Sequence, residues 1–211
     1  MVAGLATTDS GRISITSDGK SSARRSSYVF QDPRLLPWMN VHDNLDLILK
    51  NVKKQSDREK TTDHVLAKEE YSEAKNGYFT KQERNELIKK QLKLVGLSDY
   101  EFSPLSELSG GMVQRVAICR AFLYPSDLLF LDEPFKEQDT KLKDELYETF
   151  FRAYENDAAR RTVLFVTHDI SEALRLADTI YVLAGSPATI AGKFDRAEFD
   201  ADIGERIKAL I

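Results

Sequence analysis

Four apolar residues followed directly by two carboxylates, from Leu128 to Glu133, constrain the fold of this chain more than any other feature. An uninterrupted apolar run is typical of a strand that helices cover on both faces of a parallel sheet. Asp132 and Glu133 would then lie at the carboxyl end of that strand, where open α/β sheets bind ligands. There a carboxylate can hold Mg²⁺ through water, and a neighbouring glutamate can orient or deprotonate an attacking water. The alternative is a strand that simply ends in an acidic turn.

Further apolar runs alternate with helical patterns along the second half of the chain. Continuous runs predict strands covered on both faces, at 28–30, 162–166 and 179–183. Amphipathic patterns predict helices at 110–124, 140–154 and 171–177. Asp169 or Ser171 is the expected cap of the last helix. This alternation predicts an α/β fold in which helices flank a parallel sheet.

The middle of the chain differs in character, because from Lys50 to Glu70 11 of 21 residues are charged and the strand pattern disappears. Helices are predicted at 44–54 and 81–95, and the charged stretch between them is interpreted as a solvated surface rather than a binding tail. Three parts are therefore predicted: the remainder of an amino-terminal core at 1–40, an inserted helical subdomain at 41–108 and a carboxyl-terminal α/β core at 109–211.

Composition excludes several classes of protein. The chain has 30 Lys and Arg against 34 Asp and Glu, a net charge of -4, which argues against nucleic acid as the main partner. Cys119 is the single cysteine of the sequence, so an intrachain disulfide and a cysteine-rich zinc site are excluded, and we expect a small buried side chain there. No apolar run approaches the roughly 18 residues of a membrane-spanning helix.

Polar motifs also stand at the ends of other predicted elements. Ser109 to Gly111 opens a helix, where free backbone N–H groups and the positive end of the helix dipole can bind a phosphate. The alternative there is a glycine turn before an ordinary helix. His168 follows one strand, and a lone histidine in such a place is more often a capping or packing residue. Gln31 follows another strand with a neutral amide that can contact a metal's water and a partner.

In this order and spacing, the motifs resemble those of the ATP-binding subunit of an ABC transporter. They comprise the Q-loop at Gln31, the signature motif at 108–114, the Walker B motif at 131–134 and the switch histidine at His168. The resemblance covers residues 2 to about 195 and implies a P-loop NTPase-like core. The sequence of residues 30–41 resembles most closely that of the ATP-binding subunits of nitrate, sulfonate and taurine importers.

The resemblance implies a role for each motif. Glu133 would be the catalytic base, Asp132 the Mg²⁺ ligand, and His168 would sense or stabilise the γ-phosphate of ATP. Gln31 would link the metal and the attacking water to the membrane subunits. The residues expected to bind ATP across a head-to-tail dimer of two such subunits are Ser109, Gly110, Gly111, Gln114 and Asp139.

The resemblance also implies where the protein acts. Its partners would be a second ATP-binding subunit and separate permease subunits, which the Q-loop region would contact. The chain would be peripheral on the cytoplasmic face of the membrane. Before Asp139, however, Lys136, Glu137 and Gln138 replace the small residues and leucine that are usual in the family. The packing usual at the dimer seam is therefore not expected.

The sequence contains no phosphate-binding loop of the form G-x-x-x-x-G-K-[ST]. Gly19-Lys20-Ser21 has the right ending, but position 14 is Ser14 and no apolar helical pattern follows. The fragment is interpreted as a hairpin turn after a strand at 12–16. The resemblance implies that the amino-terminal strands and the loop are missing and that residues 1–5 match the last turn of the helix after it. A truncated gene, a misplaced start and one segment of a split protein all stay open as explanations.

Two functions follow from these observations. The first is an ATP-binding and ATP-hydrolysing subunit that couples hydrolysis to import. The second is a truncated, non-hydrolysing partner that contributes only its signature motif to another subunit's ATP site. We expect no ATPase activity from the chain alone, and marginal stability. A DNA-repair ATPase with the same motifs is disfavoured, because heptad-rich arms and a basic groove are lacking.

Overall fold

The computed structural model describes residues 10–11, 13, 16–17, 20–21, 25–50, 52, 78–136, 139–157 and 161–211. The chain forms two compact units, Met1–Leu164 and Phe165–Ile211. The predicted three-part division at residues 40 and 108 stays a prediction. The predicted amino-terminal helix remnant at 1–5 and most of the charged stretch lie outside the described residues.

A three-stranded sheet carries the predicted carboxylates, and its last strand crosses the boundary between the units after Leu164. Its strands lie in the order β3 (Ser26–Val29), β4 (Leu128–Asp132) and β5 (Thr162–Val166). β3 and β4 are parallel, with Val29 opposite Leu131, so the residues that follow both strands reach the same edge of the sheet. Together with the helices, this sheet confirms the predicted α/β class.

A short hairpin precedes this sheet. β1 (Thr16–Ser17) pairs antiparallel with β2 (Lys20–Ser21), and Ser17 lies opposite Lys20. A hairpin was predicted here, but Lys20 and Ser21 belong to its second strand rather than to its turn. Their backbone pairing with β1 is the physical reason for the difference.

The described residues of the first unit form four α-helices: α1 (Val41–Lys50), α2 (Lys81–Leu94), α3 (Gly110–Leu123) and α4 (Thr140–Glu155). α2, α3 and α4 confirm the predicted helices. α1 begins three residues before the prediction, because Oδ1 of Asn40 accepts a hydrogen bond of 2.8 Å from the N–H of Asp43 and caps the helix. α2 begins with a capping box between Thr80 and Glu83.

The core of the first unit includes a layer in which α1, α2 and α3 pack together. Its fully buried side chains include Leu45, Ile88, Leu92 and Val116. Cys119 lies in the same cluster, as predicted, and burial raises the pKa of its thiol. The helical segments at 41–50 and 81–94 are thereby fixed to α3, the helix that carries the predicted signature motif.

The second unit contains α5 (Ile170–Leu176), β6 (Thr179–Ala184), β7 (Thr189–Asp195) and α6 (Ile203–Lys208). β6 pairs antiparallel with β7 in a separate two-stranded sheet. Ile180, Val182 and Phe194 are buried in a cluster with residues of α5 and α6, whereas Tyr181 and Leu183 on the other face of β6 are exposed. The prediction that both faces of this strand are covered is therefore wrong.

The same prediction is wrong for β5. Leu164 and Val166 are 46% and 52% exposed, and the strand alternates between exposed and partly buried residues. β5 is the last strand of the sheet formed by the described residues, and one of its faces is open. A continuous apolar run therefore identified the strand but not the number of faces that its neighbours cover.

Candidate functional site

The two carboxylates lie at the carboxyl end of β4, as predicted. Asp132 is the last residue of the strand and is exposed, and Glu133 follows it with a φ of 43°, in the left-handed region. A residue other than glycine adopts this region at a cost of order 1–3 kcal/mol. The N–H of Lys136 donates to the carbonyl of Glu133 at 3.2 Å and closes the turn. Glu133 is thus held by its surroundings in a specific, strained geometry.

An ion pair engages the carboxylate of Glu133. Nζ of Lys136 lies 2.7 Å from Oε2 of Glu133, and both side chains are partly exposed. Lys136 is one of the residues that depart from the family's usual sequence. The predicted catalytic base therefore has a cation beside it, three residues along the chain.

The chain after Glu133 is anchored in the protein interior. Nε2 of Gln114, from α3, donates a hydrogen bond of 2.6 Å to the carbonyl of Pro134. Phe135 is fully buried and packs edge-on against Tyr147 of α4, with ring centroids 4.9 Å apart. The predicted ATP-binding residue Gln114 is itself 3% exposed. These contacts connect the signature helix to the turn that carries Glu133.

The predicted signature residues form the amino terminus of α3. Oγ of Ser109 accepts a hydrogen bond of 3.3 Å from the N–H of Met112 and caps the helix. No acidic residue lies in the first turn, so the positive end of the helix dipole is not offset there. Ser109 and Gly110 are exposed, and a Cβ added at Gly110 would meet nothing within 4 Å. The backbone here is open to an approaching anion.

Gly111 has a different reason to be glycine. It is buried, and a Cβ at this position would lie 2.5 Å from Cδ1 of Leu142 in α4. Asp139, the predicted seam residue, caps α4 by accepting a hydrogen bond of 3.0 Å from the N–H of Leu142. The start of the signature helix therefore packs directly on the first turn of the helix that Asp139 caps. Glu137 and Gln138 lie outside the described residues.

Gln31 is exposed and follows β3 by two residues. Two side chains that sequence reasoning missed hold the loop beyond it. Arg120 of α3 donates to the carbonyls of Arg34 at 2.6 Å and Pro33 at 2.7 Å, and burial lowers the pKa of its guanidinium. Arg120 thereby fastens the beginning of the predicted Q-loop segment to α3.

Asn44 of α1 fastens the rest of this segment. Its Oδ1 accepts from the N–H of Leu36 at 2.7 Å, and its Nδ2 donates to the carbonyl of Asn40 at 2.9 Å. Asn44 is buried on the same helix face as Val41 and Leu45. Its spacing from these apolar residues was a sequence signal for that burial, and a buried amide must find hydrogen-bond partners.

His168 lies in the second unit, exposed, between β5 and α5. Asp169 next to it caps α5, with its Oδ1 accepting from the N–H of Ser171 at 2.9 Å, which confirms the first of the two predicted caps. Oγ1 of Thr167 accepts from the N–H of Asp169 at 3.0 Å and donates to Oε2 of Glu172 at 2.7 Å. Thr167 and Asp169, the residues on either side of His168, therefore both form hydrogen bonds that hold the turn.

The donors at the end of β4 suit Mg²⁺. Magnesium in nucleotide sites is bound through one or two carboxylates together with water and the substrate's phosphates, and Asp132 is an exposed carboxylate. Among the described residues, no cluster of three or more His, Cys, Asp or Glu side chains could hold a metal. One carboxylate on an open strand end fits an ion that a bound nucleotide would help to hold.

Comparison with known families decides what kind of protein this site belongs to. Residues 1–136 match the family model of the ABC transporter. The chain belongs to the ABC transporter family. The nitrate import ATP-binding protein NrtD of Synechococcus elongatus is 36% identical over 172 residues, which are 82% of this chain and 54% of that protein. The aliphatic sulfonates import ATP-binding protein SsuB of Bacillus cereus is 32% identical over 195 residues, 90% of this chain and 64% of that protein.

These relatives confirm the predicted resemblance to ATP-binding subunits of nitrate and sulfonate importers. The chain spans between half and two-thirds of the length of the two relatives. A solved structure of a metal-chelate type ABC transporter in an inward-facing conformation has a TM-score of 0.66 at 17% identity, covering 99% of this chain and 70% of that one. That likeness confirms the fold of the ABC ATPase core. In the part of the chain that the structure describes, no helix has the length and apolarity to cross a membrane.

Proposed function

We propose that the protein is the ATP-binding and ATP-hydrolysing subunit of an ABC importer of the nitrate and sulfonate type. The observation that carries the proposal is the pair of carboxylates at the open end of β4, next to the loop that follows β3. The names of the relatives, which are import ATP-binding proteins, support it.

Each residue at this end of the sheet has a role in the proposed reaction. Asp132 would hold Mg²⁺, which when bound supplies positive charge to offset the charge on the transferred phosphoryl group. Glu133 orients the attacking water and accepts its proton as the oxygen bonds to the γ-phosphorus and the bond to the β–γ bridging oxygen breaks. ADP and inorganic phosphate leave. Gln31 is proposed to contact the water. The role that the resemblance implies for His168, at the γ-phosphate, stays a prediction.

The signature residues are proposed to contribute to the ATP site of a second ATP-binding subunit. Ser109, Gly110 and Gly111 would face the γ-phosphate of ATP held by another ATP-binding subunit in a head-to-tail dimer, with Asp139 at the seam. The open backbone at Ser109 and Gly110 and the uncompensated helix dipole support this role.

Two exposed aromatic side chains support a permease as a further partner. Trp38 is 76% exposed and Phe102 67% exposed. The segments that carry them are joined by the hydrogen bond from the N–H of Val41 to the carbonyl of Ser103 at 3.1 Å. Contiguous exposed apolar patches mark interaction sites, and these two residues are proposed to belong to one. The transmembrane subunits would cover them, and the protein would then lie on the cytoplasmic face of the membrane.

The proposal is tested by measuring ATP-dependent phosphate release from the assembled transporter across a magnesium titration. We expect Asp132→Asn to raise the Mg²⁺ concentration for half-maximal release by about tenfold or more, because a metal ligand is lost. Asp127→Asn, the same change just before the amino end of the same strand, is the matched control and leaves the titration unchanged. Equal magnesium dependence in the two variants would contradict the proposal.

One observation favours a second candidate, a non-hydrolysing partner that contributes only its signature motif. The Lys136–Glu133 ion pair of 2.7 Å places a cation against the carboxylate that hydrolysis needs as a base. In that case an assembly whose ATP sites both rely on this chain's Glu133 would release no phosphate. An assembly that pairs this chain with an intact subunit would still bind the nucleotide at that subunit. Phosphate release by the first of these assemblies excludes the second candidate.

A further inference from the structure

We infer that Gln114 is a positioning residue for Glu133, acting through the carbonyl of Pro134 rather than on the nucleotide. The inference rests on the proposed function, because it assigns a role in the hydrolysis for which Glu133 is the base. The resemblance alone had grouped Gln114 with the ATP-binding residues.

The burial of Gln114 carries the first step. Its side chain is almost fully buried, and its amide Nε2 donates to the carbonyl of Pro134 at 2.6 Å. Pro134 is also buried and directly follows Glu133. An amide in this position is committed to the protein's own backbone, since a buried donor without its acceptor is costly.

The strained backbone of Glu133 carries the second step. Its φ of 43° is a conformation that a glutamate keeps only where its neighbours enforce it. On one side β4 fixes Asp132, and on the other the Gln114 hydrogen bond fixes the carbonyl of Pro134. Without that hydrogen bond the turn can relax, and the carboxylate of Glu133 then moves relative to the end of the strand.

The position of Gln114 within α3 carries the third step. It lies about one turn after Ser109 to Gly111, in a helix that is tied to α4 by the packing of Gly111 on Leu142 and by the Arg115–Glu145 ion pair of 2.6 Å. In a head-to-tail dimer the signature residues face the partner's ATP, whereas Glu133 serves the ATP of its own subunit. Gln114 therefore connects the two ATP sites of the dimer within a single chain.

Steady-state hydrolysis by the intact assembly tests this inference through the separation of kcat from KM. Gln114→Met keeps the length of the side chain and removes its donor. We expect kcat to fall about tenfold or more, because small displacements of a catalytic group are costly, while KM for ATP stays within about twofold. Ile118→Val is the matched control, a buried change in the same helix that leaves the hydrogen bond to Pro134 intact. It should leave kcat near the unchanged protein's value.

Each other result overturns the inference. A raised KM with unchanged kcat means that Gln114 contacts the nucleotide, and an equal loss of kcat in Ile118→Val means that the effect is general destabilisation of α3. If Gln114→Met does not fold, Gln114→Asn replaces it, since the shorter amide cannot span the same distance, and the same kcat loss is expected. Glu133→Gln is measured alongside. If Glu133→Gln leaves kcat unchanged, the proposed function fails. If Glu133→Gln lowers kcat but Gln114→Met leaves it unchanged, only the inference fails.

Discussion

Arg161 offers the strongest test of how the signature helix is held in the fold. Its side chain is 3% exposed and forms an ion pair with Asp157, with Nε 2.6 Å from Oδ2. Its guanidinium also donates to the carbonyls at the carboxyl end of α3, those of Ala121 at 2.9 Å, Phe122 at 3.2 Å and Tyr124 at 3.1 Å. One cation therefore caps the helix whose other end carries the signature residues.

Replacement of Arg161 by Met should be strongly destabilising. Methionine keeps most of the apolar stem but leaves the charge of Asp157 in a mostly buried position and the helix carbonyls without this donor. Removal of one partner from a buried ion pair costs about 3–5 kcal/mol. For a chain of this size, 3 kcal/mol corresponds to a decrease in Tm of roughly 6–12 °C.

Urea denaturation followed by far-ultraviolet circular dichroism measures this change, since the single tryptophan, Trp38, is exposed and reports little on burial. Arg206→Met is the matched control. Its ion pair with Asp200, at 3.3 Å, is exposed, so its loss should cost less than about 1 kcal/mol. The double variant Arg161→Met/Asp157→Leu should recover part of the loss because no charge stays unpaired. A cost for Arg161→Met no larger than that of the control would refute the capping role.

Two further predictions concern stability. Burial acts to raise the pKa of Asp46, but hydrogen bonds and charge from Arg84 and Lys50 outweigh it and hold the pKa below its ordinary value of 3.8. This contribution to stability is present above about pH 4 and is lost as the pH falls through the lower folded-state pKa of Asp46. Asp46→Asn should therefore remove that part of the acid unfolding transition. An acid transition that Asp46→Asn leaves unaltered would contradict this prediction. In urea denaturation, Gly111→Ala should lower the free energy of unfolding by about 1–3 kcal/mol, because the added Cβ meets Leu142. Gly110→Ala should change it by no more than about 0.5 kcal/mol. Equal effects of the two variants would refute the packing account.

Local signals in the sequence predicted most of the fold. The helices α2, α3 and α4 and the cap at Asp169 follow from apolar periodicity and capping residues. β7 was missed because its glycine and lysine, Gly192 and Lys193, weaken the strand pattern. The open faces of β5 and β6 could not be predicted, because an apolar run looks the same whether one or both faces are covered.

The positions of the candidate carboxylates at a strand end were predictable, but the contacts around them were not. Asp132 and Glu133 at a strand end could be recognised from four apolar residues before them. The contact of Gln114 with Pro134 joins residues 20 positions apart, and the bonds from Arg120 to Pro33 and Arg34 span 86 or more positions. No periodicity reports such pairs. The ion pair between Lys136 and Glu133 joins residues only three positions apart, so the sequence could have predicted it, but it was not predicted.

The central claim is that Glu133 is the base for ATP hydrolysis. Its most direct test is Glu133→Gln in an assembled transporter whose ATP-binding subunits include a phosphate-binding loop, with phosphate release and equilibrium ATP binding measured on the same preparation. Glu107→Gln, an exposed residue just before the signature motif, is the matched control. The proposed role predicts that Glu133→Gln loses turnover, since an amide cannot accept the proton, while ATP affinity and the control variant stay unchanged. Turnover by Glu133→Gln equal to that of the unchanged protein would contradict the claim.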